Sequence, residues 1–171
     1  MKNTLLLFFL FSISFSINAQ NERPKLVVGI VVDQMRADYL DKFWDNYGEE
    51  GFKRMVNEGY NCRSTFFDYV PTNTGPGHAS IFTGAYPSIH GVVDNDSYDR
   101  YLKQEYYCAS DPSNEGVGGQ GNMSPIRMQT TTIGDEINLY QNFKSKSIGF
   151  SLKDRGAIFP AGHSGQAYWL T

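Results

Sequence analysis

The sequence predicts an α/β fold, a mainly parallel sheet flanked by helices, and three observations carry that expectation. Residues 26–32 (LVVGIVV) form a continuous β-branched run of the kind a central strand covered on both faces requires. From Met35 the apolar period becomes helical, with Met35, Tyr39, Phe43, Leu40 and Tyr47 on one face. The order strand, helix, strand, helix, helix, strand then follows along the chain, the alternation that builds parallel sheets.

Each element has its own local reason. Asp33 ends the first strand. A second helix is expected over 49–58, with Glu49 and Glu50 in its first turn and Gly59 as its stop. Residues 60–70 are rich in aromatics and read as a second strand ending at Pro71, and 77–82 as a short helix closed by Gly84. Residues 91–107 read as a hairpin or a pair of short strands. Residues 110–128 hold several Gly, two Pro and few apolar side chains, which marks a surface loop. Ile133, Ile137 and Tyr140 keep helical spacing over 132–140 behind three Thr able to cap them. Residues 147–152 (SIGFSL) read as a third strand. Three strands make a thin sheet, so residues 20–171 are expected to be the N-terminal part of a longer protein.

The first residues are expected to lie outside the fold. Lys2 is the only charge before Glu22, residues 5–17 are almost wholly apolar, and Ala19 follows at a suitable cleavage position. That pattern reads as a secretory signal peptide over 1–19. The run falls short of the ~20 residues that span a membrane, and no Cys follows it to carry a lipid, so no stable membrane anchor is expected after cleavage. Cleavage leaves 152 residues with a net charge of −4, destined for the periplasm or the exterior. There Cys62 and Cys108 can pair or stay free. With 15 Lys+Arg against 18 Asp+Glu and no basic run longer than Lys53-Arg54, nothing points to a nucleic-acid partner.

Ligands of open α/β sheets sit beyond the carboxyl ends of the strands, so Asp33, residues 72–78 and residues 153–155 are the places to look for chemistry. A carboxylate behind an apolar strand suits a metal ion, or else caps the helix that follows. In 70–78 (VPTNTGPGH) a Thr hydroxyl meets a turn into a helix, where Gly75 lets the backbone approach an anion. Such a hydroxyl is a nucleophile if a base or metal lowers its pKa, or else a helix cap. Lys153 and Arg155, read as extended chain, share one face and form a clamp for a tetrahedral oxyanion, or else a solvated loop. The sequence contains no GxxxxGK[ST] nucleotide loop and no GxSxG elbow. His78, His90 and His163 stand alone and read as hydrogen-bonded structural residues.

These ordered motifs resemble the alkaline phosphatase superfamily. The resemblance rests on 31–36 (VVDQMR), 71–74 (PTNT) with 77–84 (GHASIFTG), and 87–91 (PSIHG). Residues 151–155 (SLKDR) with 160–163 (PAGH) are similar to its exported monoesterase branch, which uses a Thr nucleophile. It implies hydrolysis of small phosphate monoesters at a site with two Zn ions, through a phosphothreonine that water then hydrolyses. It assigns Thr74 as nucleophile and metal ligand, Asp33 as metal ligand, and the Gly75 N–H as a neighbour of the phosphoryl group. Asn95 becomes the carboxamide that binds that group, and Lys153 and Arg155 the pair on its nonbridging oxygens. The superfamily's other zinc ligands lie well downstream, and Asp33 and Thr74 cannot hold two Zn alone, so residues 20–171 by themselves are expected to be inactive. The phosphodiesterase or nucleotide pyrophosphatase branch shares Asp33, Thr74 and Asn95, and Lys153 with Arg155 argues against it. A sulfatase would need Cys or Ser in CxPxR, which residues 74–77 (TGPG) lack. A module that only binds anions is the remaining alternative.

Overall fold

A computed structural model describes residues 24–118 and 121–170. The expected signal peptide lies outside the described residues. The chain divides after Val31.

Residues 26–31 are irregular and form no ladder among the described residues, and Leu26, Val28 and Ile30 are 78%, 69% and 76% exposed. This corrects the expectation of a central strand. A run apolar on both faces becomes a strand only when neighbours pair both its edges, and no described residue does so.

From Val32 onward the first helical segment is shorter than its periodicity suggests. Helix α1 covers Tyr39–Lys42 and passes into a single 3₁₀ turn at Trp44–Asn46. The helical face survives as a contact between the Tyr39 and Phe43 rings, 5.5 Å between centroids. Helix α2, Phe52–Glu58, starts later than expected; Glu49 and Glu50 precede it and pair with Lys53 and Arg54 four residues on. Residues 60–70 form no strand, a second correction. Aromatic side chains favour strands only where a pleated surface receives them, and here Tyr60 and Phe66 face outward while Tyr69 packs on Tyr86.

Helix α3 runs over Thr74–Thr83, three residues longer at its start than expected, and ends where Gly84 adopts the left-handed conformation. Helix α4 is the single turn Pro87–His90. The hairpin is present: β1, Asp96–Asp99, pairs antiparallel with β2, Gln104–Tyr107, with Asp96 opposite Tyr107. The Asp99 carboxylate accepts from the N–H groups of Tyr101 and Leu102 and so fixes the turn.

The second half carries the parallel pair. Helix α5, Ile133–Tyr140, opens on a capping box: Thr132 Oγ1 accepts from the Asp135 N–H while Asp135 Oδ2 accepts from the Thr132 N–H. Strand β3, Ile148–Ser151, leads into helix α6, Asp154–Ala161, and back to β4, Gln166–Trp169, which lies parallel to β3 with Ile148 opposite Gln166. This β3–α6–β4 crossover is the unit on which the expected α/β fold rests. Helix α6 sits so close to β3 that a Cβ on Gly149 would meet the Ala157 carbonyl oxygen, which only a glycine permits. Ala79 from α3, Val92, Cys108, Ala109 and Met128 pack with Ile158 and Phe159 of α6 in one core. Asp135 locks α5 to the turn after α6, accepting from the N–H groups of His163 and Ser164. Burial raises its pKa, but the hydrogen bonds it accepts, first from the Thr132 N–H and then from Ser164 and His163, outweigh it and lower the pKa.

Candidate active site

Helix α3 begins at the predicted nucleophile. Asn73 is its N-cap residue and makes no side-chain cap bond, so Thr74 is the first helical residue and its hydroxyl is not spent on capping. Thr74 Oγ1 lies 3.3 Å from Asp33 Oδ2. Asp33 sits in a turn well before α1, so it caps no helix either. Both capping alternatives therefore fall away, and two residues 41 positions apart meet through tertiary structure alone.

Two more of the expected residues, Gly75 and Asn95, meet at the start of the same helix. Asn95 Oδ1 accepts from the Gly75 N–H at 2.7 Å, which leaves its Nδ2 as the outward donor. The Gly75 N–H, expected beside a phosphoryl oxygen, thus donates to Asn95 and fixes that carboxamide. An Asp94 carboxylate oxygen accepts from both Asn73 Nδ2 and the Asn95 N–H, tying the loop before β1 to the start of α3. His78 donates from Nδ1 to the Thr74 carbonyl at 2.9 Å, bracing the first turn of the helix.

Lys153 and Arg155 depart from the extended geometry the sequence suggests. Lys153 is extended and exposed, but α6 begins at Asp154, so Arg155 turns into the first helical turn while Lys153 stays at the rim. Arg155 Nη1 donates to the Tyr107 hydroxyl at 3.0 Å, and that hydroxyl donates to Asp154 Oδ1. Burial and the Asp154 carboxylate push the Tyr107 phenol well above its ordinary value, so it stays protonated. Burial alone would lower the Arg155 pKa, but the Tyr107 bond and the nearby acidic groups raise it.

The other two His and the two Cys lie apart from the Thr74–Asp33 pair or pack in the core. His90 is fully buried; its Nε2 and Ser80 Oγ are 2.9 Å apart, and its Nδ1 accepts from the Val92 N–H. Burial lowers its pKa and keeps it neutral. His163 is bonded at Nε2 to the Thr130 carbonyl. Cys62 is exposed, Cys108 is buried, and both are free. Burial pushes the Cys108 thiol up to about 12.

For a metal, the chain offers the Asp33 carboxylate and the Thr74 hydroxyl as neighbouring oxygen donors. No group of three His, Cys, Asp or Glu able to hold an ion occurs among the described residues. The pair fits part of a tetrahedral site, not a whole one.

Sequence reasoning missed Tyr107, Asp154, Asn73 and Asp94. The hairpin expected over 91–107 brings Tyr107 near the site: the β1–β2 register carries the chain past Asp96 to put Asn95 against Cys108, whose N–H donates to the Asn95 carbonyl at 2.8 Å, but only the structure gives that register.

The chain joins an α/β crossover to a hydroxyl and a guanidinium in the first turns of two helices, a carboxylate in a turn and a carboxamide before a hairpin, and it belongs to the alkaline phosphatase superfamily. Within it the chain belongs to the type I phosphodiesterase / nucleotide pyrophosphatase family, whose description matches residues 27–154. It is 53% identical over 153 residues to alkaline phosphatase PafA of Elizabethkingia meningoseptica, covering 86% of this chain and 28% of that protein. It is 48% identical over 164 residues to a Myroides odoratus protein named calcium-transporting ATPase, covering 94% of this chain and 30% of that one. The crystal structure of wild-type PafA superposes with a TM-score of 0.85 at 51% identity, over 87% of this chain and 30% of that chain. The chain therefore spans about 30% of the length of the relatives it matches.

Proposed function

We propose that the full-length protein hydrolyses small phosphate monoesters through a phosphothreonine at Thr74. The observation that carries this reading is the pair of cations, Lys153 and Arg155, at the start of the same helix, with Arg155 bonded to the hairpin that holds Asn95. A monoester presents a dianionic group with three nonbridging oxygens, whereas a diester presents one charge and two. Arg155, tied to that hairpin through Tyr107, and Lys153, at the N-cap of the same helix, would supply the extra positive charge that a monoester calls for. The phosphatase name of the PafA relative supports the same choice.

The chemistry divides among the chain's own residues. Thr74 Oγ attacks phosphorus in line as the bond to the leaving alcohol breaks and the alcohol departs with a proton. Water then attacks the phosphothreonine, frees inorganic phosphate and returns the hydroxyl. Asn95 Nδ2, Lys153 and Arg155 bear on the nonbridging oxygens, where charge must be stabilised. Gly75 contributes by holding Asn95 through its N–H. Asp33 and Thr74 would hold zinc together with ligands beyond the described residues. Zinc supplies Lewis acidity that makes a coordinated hydroxyl a nucleophile near neutral pH. Two such ions are part of this reading, and residues 20–171 alone are expected to lack turnover. The leader over 1–19 supports export to the periplasm or beyond, without a lasting membrane anchor. Nucleic acid is not among the substrates proposed.

The test is parallel kinetics on an aryl phosphate and its methyl diester, using the full-length enzyme and its Lys153→Ala/Arg155→Ala variant. Monoester kcat/KM should fall by several orders of magnitude, since one preorganised donor is worth about 10²–10³-fold, while diester turnover falls far less. Equal losses on both substrates would favour the phosphodiesterase reading that the family description also allows.

A further inference from the structure

An arginine that binds a phosphoryl group bidentately needs two donors on one edge of its guanidinium, and that edge must be aimed. Arg155 has a long side chain that would lose several free torsions on ordering, so an unrestrained guanidinium at this position would bind weakly. The structure supplies a restraint. Arg155 Nη1 donates to the Tyr107 hydroxyl at 3.0 Å, and the guanidinium carbon lies 5.7 Å from the centre of the Tyr107 ring. The same hydroxyl donates to Asp154 Oδ1, which also accepts from the Arg155 backbone N–H at 2.7 Å. One face of the arginine is thereby closed by a loop of three hydrogen bonds.

What the loop leaves open is informative. Arg155 Nε is buried and has no hydrogen-bond partner among the described residues. A buried cationic N–H without an acceptor is costly unless a ligand completes it. The placement of Tyr107 ties this arginine to the candidate site. It is the last residue of β2, opposite Asp96, and its neighbour Cys108 donates from its N–H to the Asn95 carbonyl. The Cys108 sulfur in turn lies against Gly75, where a Cβ would come within 3.0 Å of it. Thus Asn95, the start of α3 and the Arg155 guanidinium surround one hairpin end.

We propose that Tyr107 is the positioning residue for Arg155: bridging Asp154 and Nη1, it turns the free Nε edge toward the phosphoryl group held by Thr74 and Asn95. The inference rests on the monoesterase reading and deepens it, because it names what makes the arginine a preset fork. Tyr107 touches no substrate. It acts through Arg155 alone, and that dependence is the property to measure.

The experiment is a double-mutant cycle in the full-length enzyme with an aryl phosphate as substrate and inorganic phosphate as inhibitor. Tyr107→Phe keeps the ring and removes the hydroxyl. It should lower kcat/KM about 10- to 100-fold, the usual worth of a hydrogen bond to a charged group, and weaken phosphate inhibition in step. In an Arg155→Ala background the same change should cost less than about twofold, because nothing remains to be aimed. A packing role would instead give equal losses in both backgrounds, and that result would overturn the proposal. Asp154→Asn, which keeps an acceptor for the hydroxyl but removes the charge, carries the same cycle if Tyr107→Phe does not fold, with a smaller loss expected. Wild-type enzyme that turns over the diester and not the monoester would sink the functional reading instead, while leaving the coupling of Tyr107 to Arg155 measurable on the diester.

Discussion

Gly75 lies between the start of the helix that carries Thr74 and the Asn95 carboxamide proposed to bind the phosphoryl group, and Gly75→Ala is the sharpest probe of that arrangement. A Cβ there would lie 3.0 Å from Cys108 Sγ and 3.1 Å from Asn95 Oδ1, with the Asp94 carbonyl oxygen at 3.6 Å. Both contacts are tighter than side-chain carbons ordinarily make, so each neighbour must give by a few tenths of an ångström. The easiest relief is withdrawal of the Asn95 carboxamide, which stretches its 2.7 Å bond from the Gly75 N–H. Overpacking costs about 1–3 kcal/mol and a loosened hydrogen bond about 1 kcal/mol, while replacing a helical glycine returns about 1 kcal/mol. The balance is a destabilisation of about 2 kcal/mol, small beside the catalytic effect expected. Deleting a transition-state donor outright costs about 10²–10³-fold, so displacing Asn95 should cost about 10- to 100-fold in monoester kcat/KM. The assay is steady-state kinetics alongside a urea titration. Adding Cys108→Ala empties the space on the sulfur side, lets the methyl lean there, and should recover part of the loss. Wild-type kcat/KM in Gly75→Ala, or no recovery on removing Cys108, would refute the reasoning.

Two further outcomes follow from the same geometry. Thr74→Ala in the full-length protein should abolish the covalent phosphoenzyme and most turnover without unfolding the chain, because among the described residues the Thr74 hydroxyl bonds to the exposed Asp33 carboxylate and not to the core; labelling at normal yield would mean that another residue is the nucleophile. His90 is held below its ordinary pKa by burial, so the unfolded chain takes up the proton first. Its contribution to stability is therefore complete above about pH 6.5 and is lost as the pH falls toward the lowered value. Urea midpoints at pH 7.5 and 5.5 should differ, and the difference should shrink in His90→Gln; an unchanged difference would assign the pH dependence to other groups.

The local features that the sequence determined were those whose physics is local. Thr132 caps α5 because its hydroxyl and the Asp135 carboxylate reach each other's N–H within one turn. The β1–β2 hairpin and the Gly84 stop of α3 are likewise written in neighbouring residues. Residues 26–32 and 60–70 show the opposite case. Their composition favours strands, yet a strand exists only through its partners, and among the described residues none pairs with them. The motifs named the candidate residues, and tertiary structure decided how they meet. Asp33 and Thr74 approach across 41 positions, and Asn95 takes the Gly75 N–H that the family resemblance placed beside a phosphoryl oxygen. Lys153 and Arg155 part company because a helix begins between them, a start that no side-chain cap announces. Tyr107 could not be singled out by its own residue type, because its role exists only where the end of β2 meets the first turn of α6.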